Sequence, residues 1–187
     1  MSNFNTVADV ILHQNNGQPI VTPFNGTVGH QQVLLGAGAA ILTLPNPLAA
    51  VDTPGTFPGR AAVAIPFIVR AAGLITAPGS GQFQIDINLG TGLSPAIAST
   101  GLVRLQPVLT SVNDNWLIEV EGMWDPTSTN VRGIVYGWIG ALNISQTVLN
   151  TNTAASLAAL QFNVGITFLN ANPSNSLTVT EFSGELV

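Results

Sequence analysis

Residues Gln82–Leu89 read QFQIDINL. Phe83, Ile85, Ile87 and Leu89 fall on one side and Gln82, Gln84, Asp86 and Asn88 on the other, which is the period-two pattern of a half-buried strand. The polar side holds three amides and a single carboxylate. That economy of charge runs through the whole chain: 7% of its 187 residues are charged, against about 25% in an average globular protein.

The basic complement is Arg60, Arg70, Arg104 and Arg132, with no lysine, and the net charge is -5. A protein that neutralises many phosphates needs clustered Lys or Arg, so nucleic acid is not an expected partner. No membrane is expected either. The longest uncharged apolar stretch, Val33 to Leu44, ends at Pro45, short of the roughly 18 to 20 residues that span a bilayer. The N-terminal MSNFNTVADV lacks a basic segment followed by an apolar run, so export by the general secretory route is not expected. There is no cysteine, and strength must come from burial and backbone pairing.

Working outward from QFQIDINL, the chain reads as strands punctuated by Gly, Pro, Asn and Ser, with no long helix. In the first quarter strands are expected near Val7–His13, Pro19–Thr22, Thr27–Leu35 and Ala40–Leu44, with Asn16-Gly17 and Asn25-Gly26 as hairpin-turn signals between them. Residues 45–59, PNPLAAVDTPGTFPG, are rich in proline and read as a connector. Further strands are expected at Ala61–Thr76, Gln82–Leu89, Leu102–Leu109, Asn115–Trp124, Val131–Ile144, Leu160–Leu169 and Ser176–Val187. Between them lie the turn-rich links APGSG, NDN and DPTSTN, and TAASLAAL forms at most a helical turn. The expected fold is all-β, a jelly-roll-like antiparallel β-sandwich over 60–187 with an N-terminal hairpin arm or small β subdomain over 1–59.

Face assignments sharpen this. In NWLIEVEGMW the inward set is Trp116, Ile118, Val120, Gly122 and Trp124, with Leu117, Glu119, Glu121 and Met123 outside. In VRGIVYGWIGAL, Val131, Val135 and Ile139 share one face and Arg132, Ile134, Tyr136, Trp138 and Leu142 the other. Both faces therefore want cover, and another subunit is the expected second cover. Gly133, Gly137 and Gly140 fit close backbone approach or bulges.

The stock of reactive groups is small. His13 and His30 are the two histidines and, with Asp9, could ligate a metal only if neighbouring hairpins brought them together. Glu119 and Glu121, i and i+2 on one strand, have a spacing a glycosidase could use, but any solvent-facing strand looks the same. Gly36-Ala37-Gly38 lacks the remainder of a phosphate loop and reads as a strand connection. Asp114 and Asp125 lack EF-hand spacing. No catalytic, cofactor-binding or metal constellation emerges, and no enzyme and no cofactor are expected.

The runs PFIVRAAGLITAPGSGQFQIDINLGTG, NWLIEVEGMWDPTSTNVRGIVYGWIGAL and LQFNVGITFLNANPSNSLTVTEFSGEL resemble, in their order of strands, the jelly-roll domains of tailed-bacteriophage virion structural proteins, over roughly Arg60 to Val187. In size and tone the chain is similar to capsid decoration, or cement, proteins. The resemblance implies a homotrimer, made in the host cytoplasm, that sits on the outside of the phage head and clamps neighbouring major capsid protein subunits. It carries over no binding residues. The alternative it leaves is a tail- or fibre-associated attachment jelly roll that binds a receptor glycan, with Trp124, Asp125 and Trp138 as sugar contacts.

Overall fold

The computed structural model describes residues 9–10, 18–35, 38–39, 41–45, 64–78, 83–89, 103–105, 112–125, 130–152 and 159–187. Fourteen strands occur among them: β1 (Asp9–Val10), β2 (Ile20–Pro23), β3 (Gly29–Gln32), β4 (Leu34–Leu35), β5 (Gly38–Ala39), β6 (Ile41–Pro45), β7 (Ile65–Ala77), β8 (Phe83–Leu89), β9 (Val103–Leu105), β10 (Val112–Asp125), β11 (Asn130–Ile139), β12 (Leu142–Asn152), β13 (Ala159–Phe168) and β14 (Ser176–Leu186). No helix occurs among the described residues. The connector over 45–59, beyond Pro45, and the helical turn expected in TAASLAAL, up to residue 158, lie outside them.

Two antiparallel sheets carry the fold. The first runs β1-β14-β7-β10-β11-β12, with β2 also on β14; the second runs β3-β13-β8-β9, with β6 also on β13. Alternation along β7 is complete: every second residue from Ile65 to Ala77 is buried, as period-two side-chain geometry requires of a strand with one wet face. The inner faces meet in one core, where Phe67 of β7 and Phe162 of β13 stand with ring centroids 5.6 Å apart. The chain is an antiparallel, jelly-roll-like β-sandwich, as its turn and strand spacing predicts.

In the quoted stretch, β8 buries Phe83, Ile85 and Ile87 completely. It lies against β13 with Ile85 opposite Ile166 and Ile87 opposite Val164. Each such side chain contributes about 1.5–3 kcal/mol relative to exposure. β13 is buried on both faces from Phe162 to Phe168.

The N-terminal strands complete both sheets. β1 takes Ser183 and Gly184 of β14 as partners while β2 takes Ser176 to Val179, so the two lie end to end on the side of β14 away from β7. β3 and β6 divide β13 in the same way, over Gly165–Phe168 and Ala159–Asn163. The Asn25-Gly26 turn is present, with Asn25 Oδ1 accepting the Thr27 amide at 3.0 Å. It joins a strand of one sheet to a strand of the other instead of closing a hairpin. A hairpin does occur where β4 pairs β5, its Leu35–Gly38 pair bracketing the Gly36-Ala37 step.

Two sequence expectations are corrected. NDN is no turn: Asn113, Asp114 and Asn115 extend β10, with Asn113 opposite Thr76 and Asn115 opposite Leu74. All three are exposed, Asn113 and Asn115 on the wet face and Asp114 on the other, at the end of the sheet beyond Trp116. Val131–Ile144 is two strands, β11 and β12, folded back at Gly140 and Ala141. Gly140 has φ +55°, the left-handed region that favours glycine, and donates its amide to Asn115 O at 2.9 Å. Leu142 therefore begins a new strand and does not continue the Arg132–Trp138 face. Of the strand expected at Leu102–Leu109, Val103–Leu105 form β9 and the other residues lie outside the description.

Candidate functional site

The wet face of the first sheet is the candidate site. Strand register arranges it in rows. Arg70 lies between Ser183 and Glu119, and Glu119 between Arg70 and Tyr136. The next row reads Glu185, Ile68, Glu121, Ile134; on the other side Glu181, Ala72, Leu117 and Trp138 stand abreast. Met123 and Arg132 pair beyond Glu121.

Arg70 and Glu119 form the ion pair of this face. Arg70 Nε donates to Glu119 Oε2 at 2.7 Å, and its Nη2 donates to the same oxygen. The hydrogen bond and charge of Glu119 raise the Arg70 pKa, burial lowers it slightly, and Glu181 and Glu185 add to the rise. A raised guanidinium pKa contributes stability that is complete at neutral pH and disappears only as strong alkali deprotonates the folded state. Arg70 therefore stays charged at any working pH. Exposed pairs of this kind are worth about 0.2–1 kcal/mol.

Between the strands lies a shallow depression of about 330 Å³, lined by Ile68, Arg70, Glu119, Glu121, Ser183 and Glu185. Ser183 Oγ donates to Glu181 Oε1 at 3.1 Å. Beside the depression the face turns apolar. Met123, Ile134, Tyr136 and Trp138 are 46%, 41%, 41% and 39% exposed, and neighbouring exposed apolar groups of this size mark contact surfaces.

The residues singled out in the sequence fall as follows. Trp116, Ile118, Val120 and Trp124 are buried and Glu121 and Met123 exposed, as alternation predicts, while Glu119 and Leu117 are half-buried. Glu119 accepts from Arg70 and Glu121 opens to solvent; the register gives them the same neighbours as any solvent-facing pair. Trp124 is withdrawn as a sugar contact. It is fully buried on the inner face, the opposite face from Trp138, because position 124 shares the parity of Trp116. The side chain of Asp125 is outside the description; its backbone pairs with Asn130.

His13 lies outside the described residues. His30 is on β3 opposite Thr167, in the second sheet, whereas Asp9 is on β1 opposite Gly184, in the first. Among the described residues no group of three His, Cys, Asp or Glu could hold a metal. Sequence reasoning missed Arg70 as the partner of Glu119, and Ser183, Glu181 and Glu185 as residues of the same face. Their outward parity is visible in the sequence, but Arg70 and Glu119 meet only through a register set across 49 positions.

No protein-family model matches the chain, and no curated protein is similar to it. Among solved structures, peanut lectin in complex with a 9mer peptide aligns over 100% of this chain and 94% of that one, with 10% sequence identity and a TM-score of 0.36. A likeness at that level carries no argument about what this chain binds.

Proposed function

We propose that the chain is a virion structural protein: a capsid decoration, or cement, protein of a tailed bacteriophage. In this role it forms a homotrimer, sits on the outer capsid surface and ties neighbouring major capsid protein subunits together. One observation carries the reading: a sandwich face with Met123, Ile134, Tyr136 and Trp138 left open. Such a row suits a protein whose work is contact, since interface cores are enriched in aromatics and Met. The strand order over residues 60–187 that resembles phage jelly rolls supports the same reading.

The test is to add the purified chain to phage heads that lack it and follow their survival to heat and low salt. Heads carrying the chain should withstand a higher temperature than bare heads. Equal survival with and without bound chain would overturn the cement role. The attachment alternative is favoured by one feature, the adjacent open rings of Tyr136 and Trp138, a platform on which a sugar could stack. Retention of the chain on host cells or glycan arrays, with no uptake by heads, is the result that would select it.

A further inference from the structure

Charge is scarce in this chain and unevenly placed. All four of its glutamates, Glu119, Glu121, Glu181 and Glu185, stand on the wet face of the first sheet, together with two of its four arginines, Arg70 and Arg132. Arg70 is committed to Glu119. Four carboxylates thus share this face with two guanidiniums, a surplus of two negative charges. Glu119, Glu121 and Glu185 line the depression, Glu181 stands in the row beyond Ser183, and the open apolar row of Ile134, Tyr136 and Trp138 runs alongside.

The apolar row calls for a protein partner, and the surplus carboxylates call for that partner's cations. A second copy of this chain supplies neither charge nor relief. The chain has no lysine, and an identical face would set the same carboxylate surplus against itself. Of the other two arginines, Arg104 is on β9 of the second sheet opposite Asp86, and Arg60 is outside the described residues. Nucleic acid is repelled by the same carboxylates.

We propose that this face docks a basic protein surface. Lysine or arginine heads enter the depression between Glu121 and Glu185, their alkyl stems cover Ile68 and Ile134, and a cation can rest on the Tyr136 or Trp138 ring. The inference rests on the virion reading only in taking the basic surface to belong to the shell. It also moves the expected cover of β11 from a sister subunit to a different protein.

The experiment uses the full chain and a fluorescent oligolysine peptide, with oligoglutamate as the control, followed by anisotropy at low and physiological salt. Glu121→Gln/Glu185→Gln removes two surplus charges without changing shape, and its thermal transition verifies folding. Asp86→Asn, on the other sheet, controls for the loss of a negative charge away from this face. Oligolysine should bind the unaltered chain and Asp86→Asn alike, and should bind the double Gln variant about tenfold more weakly, the loss of two exposed charge pairs. Tyr136→Ala should weaken binding further without unfolding the chain.

Equal binding to all variants would overturn the inference. So would self-association that Tyr136→Ala abolishes while oligolysine binding stays intact, since a second copy would then own the face. Phage heads separate this idea from the reading beneath it. If heads take up the double Gln variant as well as the unaltered chain, the docking face is wrong and the cement role stands; if oligolysine binding depends on the glutamates but heads take up neither protein, the reverse holds.

Discussion

At the scale of single residues, what a position tolerates is decided by which atoms stand above its Cα. Gly73 lies on β7 beneath the place where β14 shifts register between Val179 and Glu181. A Cβ there would be driven into the backbone carbonyl of Thr178, which has no rotamer with which to yield. Gly140 differs: a Cβ would meet the Asp114 carboxylate, a side chain able to swing away, and the remaining cost is the left-handed φ of +55°. Gly140→Ala should therefore cost about 1–2 kcal/mol and Gly73→Ala about 3 kcal/mol or more, read from urea unfolding midpoints. An equal loss at both sites would mean that the bulge does not seat β14 on Gly73. The tryptophans sort by the same logic of surroundings. Trp116 and Trp124 fill the core, and neither Nε1 has an acceptor among the described residues.

At the scale of elements, β10 and β11 put opposite demands on their two faces, and the consequence is measurable. Trp124→Ala should destabilise the fold by about 3–5 kcal/mol. Trp138→Ala, on the open face one strand away, should change stability by about 0.5 kcal/mol or less while altering what the face binds. A large loss from Trp138→Ala would show that the face is covered within the chain itself. The faces of β10 were legible because, over the nine residues from Trp116 to Trp124, only one face assignment buries both tryptophans with Ile118 and Val120 and leaves Glu119 and Glu121 outside. The fold-back at Gly140 was not legible. Val131 to Ile144 keeps strand-forming residues on both sides of the turn, and a glycine in a β run signals a bulge as well as it signals a reversal. The glutamate-lined face was half legible: parity places each Glu outward, but the neighbours it meets are set by pairings between distant segments that no local pattern encodes.

At the scale of the whole molecule, scarcity of charge leaves much of the surface to amides and hydroxyls, and a homotrimer of the kind proposed would close over such uncharged surface. Light scattering should give a mass near three times 19.3 kDa, unchanged as salt rises, because an interface without ion pairs has little to screen. A monomer at all concentrations would remove the trimer from the proposal, and a trimer that dissociates in salt would place charged residues in its contacts. The sandwich has one more property, set by the order in which a ribosome makes it. Among the described residues β1 and β2 pair only with β14, and β3 and β6 only with β13, so that Asp9 waits for Gly184 and His30 for Thr167. Until those residues have emerged, β1, β2, β3 and β6 carry unpaired strand edges and have no sheet to join. Both sheets thus become complete late in synthesis, and a chain that stalls before β13 exposes the sticky edges that chaperones bind and neighbouring chains capture.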